Sequence, residues 1–256
     1  MRGFLEYVPG DSLLHRLNPV AKVLFAALFA IACFCTSNLV LLVIMLAAAI
    51  ALAASCGLMA QTAGLMKAVL AFSLLLAVLL LFTTPTGSLL VQLPWGYIGT
   101  GSVLVAVTTI LRLEAAAIPL FLVFYVTKMS DITNSAVKQL HVPYKYAFTF
   151  TSTVHFIPVF MNDMAAIMEA QTARGVEFDQ GGIVKKVRLM VPLCVPLLVS
   201  SVRKTNSAAI AAEVRGFDLR TRESGYKAYP LTAADVAVLV LAVALLAAAI
   251  LLQLIA

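Results

Sequence analysis

The chain has 256 residues, of which 62% are hydrophobic and 12% charged, with a mean hydropathy of +1.01 and a net charge of +6. A soluble domain carries about 25% charged residues, so these proportions exclude a water-soluble globular protein, and the apolar excess excludes an intrinsically disordered one. The sequence reads as a polytopic membrane protein, whose basic excess fits the cytoplasmic side of a membrane and gives no reason to expect nucleic-acid binding.

The opening residues include Glu6, Asp11, His15, Arg16 and Pro19, too polar a start for a cleavable signal peptide. Asn18-Pro19 has the form of a helix start. Val20–Thr36 and Leu39–Cys56 are apolar on either side of Ser37-Asn38, which predicts a helical hairpin, since about 20 residues cross a bilayer. Lys67–Thr83 is the third expected span, ending in Thr83-Thr84-Pro85-Thr86-Gly87. The connection to Tyr97 is uncharged and holds Trp95, a residue type of membrane interfaces.

Ile98 to Thr127 contains Arg112, Glu114 and Pro119. Two readings stand: one long kinked helix, or a short segment ending near Arg112 followed by a crossing from Ala115. A charge at the bilayer centre costs about 2.5–3.5 kcal/mol on the gentlest scale, so Arg112 must be paired or near an interface. Ala234–Ile255 is the clearest span.

The stretch from Lys128 to Lys227 holds 13 of the 18 basic and 8 of the 12 acidic residues, a net of +5. The positive-inside rule places this stretch and the N-terminus in the cytoplasm and the last residue outside. Within it, Ile132–Leu140 predicts a short helix stopped at Val142-Pro143. Two long helices follow, Tyr144 to Arg174 and Lys185 to Arg215, each about 45 Å at 1.5 Å per residue. Pro158, Pro192 and Pro196 should bend them, and Gly181-Gly182 should reverse the chain between them. The expected fold is therefore all-α, with about five transmembrane helices and two long cytoplasmic helices. Residues 1–127 make an N-terminal membrane part with four crossings, 128–230 the cytoplasmic helical region, and 231–256 the last transmembrane helix.

Both long helices end alike. Ala173-Arg174-Gly175 closes the first and Val214-Arg215-Gly216 the second, 41 residues later. Glycine after the arginine is a natural helix C-cap, and small neighbours leave the guanidinium free to reach another protein. For a single such arginine the plainer reading, that it complements the helix dipole, is favoured over docking; its repetition favours a docking role. Glu169 and Glu213 precede the two arginines, by five and two residues. Pairing of Asp163 with Arg203 or Lys204 is expected where the helices cross.

On these residues the sequence resembles the transmembrane T component of energy-coupling-factor (ECF) transporters, a group that includes the cobalt-transport membrane subunits. The paired Ala-Arg-Gly signatures carry most of the resemblance, with Val214 replacing Ala in the second. Leu17-Asn18-Pro19-Val20-Ala21-Lys22 and the stretch from Thr127 to Pro143 support it. The resemblance implies a scaffold joining two cytosolic ABC ATPase subunits to a small substrate-binding integral membrane subunit, for uptake of vitamins, cobalt or nickel across a bacterial or archaeal cell membrane. It makes the two long helices coupling helices, with Arg174 and Arg215 seated in ATPase grooves, and it implies no catalysis by this chain. In agreement, the sequence has no G-x-x-x-x-G-K-[ST] phosphate loop.

The remaining residues offer little chemistry. Cys33, Cys35, Cys56 and Cys194 lie in apolar surroundings without metal-ligand spacing, so no metal and no cofactor is expected. His155 reads as a packed or hydrogen-bonding helix residue. Phe156, Phe160, Met161, Met164 and Met168 form an apolar face suited either to shifting partner contacts or to plain helix packing. A membrane enzyme would gather Glu169, Glu177, Asp179, Glu213 and Asp218 around histidines, and none is near. A secondary transporter would carry two similar halves with broken spans, and the only repeat here is the arginine-ended helices.

Overall fold

The computed structural model describes residues 7–10, 12–84, 87–93, 96–176, 178, 182–221, 224–225, 227 and 229–255. Trp95, Glu177, Asp179 and Gly181 lie outside the described residues. In chain order the elements are α1 (Leu13–Arg16), α2 (Pro19–Cys35), α3 (Leu39–Ser55), α4 (Met59–Thr83), β1 (Leu89–Leu93), β2 (Gly96–Gly99), α5 (Thr100–Val126), α6 (Met129–Gln139), α7 (Tyr144–Ala173), α8 (Ile183–Val214) and α9 (Ala233–Ile255). The chain divides into two compact units, Met1–Ser135 with Tyr229–Ala256, and Ala136–Ala228.

The first unit is an apolar helical bundle. Among the described residues, Met59–Thr83, Thr100–Val126 and Ala233–Leu254 are long and apolar enough to cross a membrane, and α2 and α3 are shorter apolar helices of 17 residues each. The protein is thus an integral, multi-pass membrane protein. Asparagines start both shorter helices. The Asn18 side chain accepts from the Val20 N–H, with Pro19 in the first turn, and Asn38 accepts from Val40 and Leu41. The helices pack closely because their contacts are lined by small residues: Ala32, Cys33, Ala49, Ala53, Ala115, Ala242 and Ala249 are buried beside Phe29, Leu42, Met45, Ile118 and Leu122.

The third span differs from its expected bounds. Helix α4 begins eight residues before Lys67, because Met59–Met66, although more polar, is made largely of residues that a helix accepts. Between Ile98 and Thr127 the structure decides for one continuous helix, α5, with Pro119 buried inside it. Arg112 donates from Nη2 to the Thr36 carbonyl at 2.8 Å, at the end of α2. The charge therefore lies level with the Ser37-Asn38 turn, against a carbonyl that the helix end leaves free. Glu114 is buried, and neither carboxylate oxygen has a partner among the described residues. The uncharged connection before α5 holds an antiparallel hairpin of β1 and β2, with Leu93 opposite Gly96. The hairpin is an exception to the expected all-α chain, and its two strands, of five and four residues, leave only a faint pattern in the sequence.

A buried polar knot fastens α9. Thr232 and Asp235 form a capping box: the Asp235 Oδ2 accepts from the Thr232 N–H and hydroxyl, both at 2.7 Å, and the Thr232 hydroxyl accepts from the Asp235 N–H. The other carboxylate oxygen accepts from the Asn18 N–H at 2.7 Å, and the Asn18 amide donates to the Tyr229 carbonyl. Lys22, 3% exposed, donates to the His15 carbonyl, and the Tyr229 hydroxyl donates to Asp131. Burial, with the Asp131 carboxylate beside it, pushes the Tyr229 phenol up to about 12. The Asn18-Pro19 motif is thus both the cap of α2 and half of the clasp on α9.

Candidate coupling site

Helices α7 and α8, of 30 and 32 residues, belong to the second unit. Both are continuous through their prolines, Pro158 in α7 and Pro192 and Pro196 in α8. Among the described residues α7 buries Ala147 and α8 buries Leu193, whereas Tyr146, Phe150, Ile157, Met161, Val191, Val195, Leu198 and Val202 are exposed.

The two helices face each other in opposite chain directions, from Asp163 against Lys204 to Phe148 beside Ala211 and Tyr144 against Arg220. The crossing is polar. The Lys204 ammonium donates to both Asp163 oxygens at 2.7 and 2.6 Å, and the Ser200 hydroxyl donates to Oδ2 at 3.0 Å. Ser200 and Lys204 are four residues apart, hence on one face of α8. The Lys204 hydrogen bonds hold the Asp163 carboxyl below the usual carboxylate range. Arg203 is exposed and takes no part in the pair.

Each helix then runs eleven residues past the crossing, from Asp163 to Arg174 and from Lys204 to Arg215, about 16 Å at 1.5 Å per residue. The two arginines therefore stand at opposite ends of an antiparallel pair. Their caps are built alike. Arg174 is the last near-helical residue of α7, and Gly175 follows at φ +90°, where its N–H reaches the Thr172 carbonyl and the Val176 N–H that of Gln171. Those two bonds make a Schellman motif. Arg215 closes α8 with Gly216 at φ +72° and the Gly216 N–H on the Glu213 carbonyl, the counterpart of the first of these bonds. A side chain other than glycine would be strained at either φ. Arg174 and Arg215 are both exposed, as are Ala173, Val214, Glu169 and Glu213, and neither guanidinium meets a carboxylate among the described residues.

The face named from sequence is partly a seam and partly open. Phe156 stacks on Phe160 with centroids 5.7 Å apart, and both line a groove of about 440 Å³ between α7 and α8, with Thr205, Ala208 and Ala209 opposite. Met161 is exposed, and Met164 and Met168 are half-buried. His155 is exposed rather than packed, with its ring centroid 6.4 Å from that of its neighbour Phe156.

The cobalt transport protein family, CbiQ, matches residues 10–226. The chain is also 30% identical over 220 residues to the energy-coupling factor transporter transmembrane protein EcfT of Brevibacillus brevis, covering 83% of each chain. It is 30% identical to the same protein of Streptococcus equi, covering 85% of each, and 29% identical to that of Bacillus subtilis, covering 92% of each. The chain belongs to the ECF T-component family. It is accordingly a membrane subunit of an ECF-type transporter.

Some features of this T component escaped sequence reading. Tyr144, Phe148, Phe217 and Arg220 gather where α8 ends, a grouping with no local signature because its members are up to 76 residues apart. Asp235 was the sole charge near the start of an apolar 22-mer, and the capping box Thr232-x-x-Asp235 was the signal that would have found it.

Proposed function

We propose that this chain is the non-catalytic energy-coupling subunit of an ECF importer, transmitting the motion of two cytosolic ATPase subunits to a small substrate-binding membrane subunit that captures a vitamin, cobalt or nickel. Arg174 seats in one ATPase subunit and Arg215 in the other, with Ala173, Gly175, Val214 and Gly216 shaping the two ends. When ATP changes the separation of the ATPases, the arginines move their helices about the Asp163–Lys204 crossing, and the apolar faces of α7 and α8 press on the substrate-binding subunit. Glu169 and Glu213 flank the two ends, and Arg203 remains outward beside the crossing.

One observation carries this reading: two exposed guanidiniums, without a carboxylate partner among the described residues and each on a glycine-terminated helix end, lie at equal chain distance beyond one polar crossing. Arginine suits such a grip, since its planar fork makes several charge-assisted hydrogen bonds at once. Losing a buried charge partner costs about 2–5 kcal/mol, so Arg174→Glu with Arg215→Glu should abolish recovery of the ATPases from detergent and substrate uptake in cells. Each single change should be milder, because the remaining anchor keeps a high effective concentration. Arg188→Glu, at an exposed site on α8, alters the net charge equally and should leave both readouts intact. Normal recovery and uptake in the double variant would overturn the coupling role.

The same reading puts residues 128–230 and the N-terminus in the cytoplasm. In a cysteine-free background, Asn38→Cys and Ser88→Cys should be labelled from outside, and labelling of either only from inside would reverse the orientation.

A further inference from the structure

The end of α8 is more elaborate than its cap requires. Past Gly216 the chain makes a 3-10 turn, Phe217–Leu219, closed by the Leu219 N–H on the Gly216 carbonyl and the Arg220 N–H on that of Phe217. The turn lays Phe217 on the first turns of α7, with ring centroids 5.6 Å from Tyr144 and 4.8 Å from Phe148. It also carries Arg220 back over the Tyr144 ring, 5.1 Å from its centroid, where Nη1 donates to the Tyr144 hydroxyl at 2.6 Å. Arg215 and Arg220 consequently line one cavity of about 280 Å³, kept open by the small side chains of Ala208, Ala211 and Ala212.

Two like charges beside one aromatic-walled cavity repel, and an anion between them removes that repulsion. No carboxylate of this chain supplies it among the described residues, although Glu213 and Asp218 each stand two positions from one of the arginines. Arg220 spends one of its five N–H donors on Tyr144 and Arg215 none on a described side chain, so the two forks retain more than enough donors for the four lone-pair sites of a carboxylate. Stacking and the hydroxyl bond fix the direction of the Arg220 fork in advance, which lowers the entropy lost on binding.

We propose that Arg220, presented by Tyr144, is a further partner-binding arginine that grips, jointly with Arg215, one aspartate or glutamate side chain of the ATPase subunit. This rests on the coupling reading above and adds to it a residue and the chemistry of its contact. Arg174 has no counterpart of Arg220 among the described residues, so the two ATPase contacts are unequal, with a two-armed clamp at α8 and a single prong at α7.

The test titrates the full-length protein, in a neutral detergent without anionic lipid, with purified ATPase subunits. The thermal midpoint of the protein alone is measured alongside. Arg220→Glu should weaken binding by at least about thirtyfold, Arg220→Lys by about fivefold through loss of the fork, and Tyr144→Phe by less, all with a nearly unchanged thermal midpoint. Arg215→Glu combined with Arg220→Glu should lose far less than the product of the single losses, since both arms hold one carboxylate. A multiplicative loss with a lowered midpoint would reduce Arg220 to a brace of the fold and overturn the clamp. Full affinity in Arg220→Glu beside a large loss in Arg215→Glu would also overturn it while leaving the coupling reading in place; full affinity in both, and in Arg174→Glu, would remove the coupling reading itself. Should Arg220→Glu fail to fold, unchanged affinity in Arg220→Lys refutes the clamp and a loss at constant midpoint supports it. An effect of Arg220→Glu that emerges only in nanodiscs containing anionic lipid would assign the cavity to a lipid phosphate and overturn the proposal.

Discussion

The two units dispose of their polar residues in opposite ways. In the bundle unit the charged and polar side chains of Asn18, Lys22 and Asp235 are buried and turned on one another and on the backbone. In the unit of α7 and α8 the Asp163–Lys204 pair is half-buried, and Arg174, Arg203, Arg215 and Arg220 are exposed. Polar groups sealed inside a structure secure the fold, since leaving any of them without a partner is costly. Exposed arginines with preformed geometry contribute little to the fold and are available to a partner. The same residue chemistry thus serves stability in one unit and, on the proposed reading, assembly in the other.

The sharpest way to break that contrast is a change in the knot that left the fold intact. Asp235→Ala removes the acceptor of the Asn18 N–H and of two Thr232 donors. At about 1–3 kcal/mol for each buried donor left unmade, it should cost about 3 kcal/mol or more and free α9 from the bundle. Thermal unfolding in detergent and protease sensitivity near Tyr229 would report it. A normal melting profile would mean that the knot is dispensable.

Smaller effects should fall on the helix ends. Gly175→Ala and Gly216→Ala each place a side chain at positive φ, costing about 1 kcal/mol. Space is not limiting, since an added Cβ meets nothing within 4 Å at Gly175 and only Leu219 at 3.7 Å at Gly216. The expected outcome is a slight drop in thermal midpoint with a larger loss of ATPase binding, because the cap aims the arginine. Equal losses in both readouts would say that the glycines serve the fold alone.

The least effect belongs to the crossing. With its carboxyl held below the usual range, Asp163 contributes stability at every pH above that range and loses it only as the pH falls through the lowered value. Asp163→Asn should therefore differ from the parent by a constant, small margin in thermal midpoint across neutral pH, and the margin should close under acid. A margin that grew under acid would have the sign wrong and detach Lys204 from Asp163.

Most helices were legible because apolar runs have a length and proline, asparagine and glycine have fixed positions at helix ends. Asn18-Pro19, Ser37-Asn38, Gly175 and Gly216 mark ends that the structure places within a residue or two. The 41-residue spacing of the two arginines was legible too, and the Asp163–Lys204 pair repeats it. The start of α4 and the hairpin were not, because a polar but helix-tolerant stretch and two very short strands leave no strong periodicity.

What the sequence determined by itself is therefore local: which segments avoid water, where each helix begins and stops, and which arginines stand at helix ends. These follow from backbone geometry and side-chain transfer energy, both read within a few residues. Only the tertiary structure decided which polar groups meet. Asp235 reaches Asn18 across 217 residues, Arg112 reaches Thr36 across 76, and Arg220 turns back to Tyr144 across another 76. A hydrogen bond depends on distance and angle in space, so neither partner carries a sign of the other in the chain, and the difference between a clasp and a docking arginine exists only once the helices have packed.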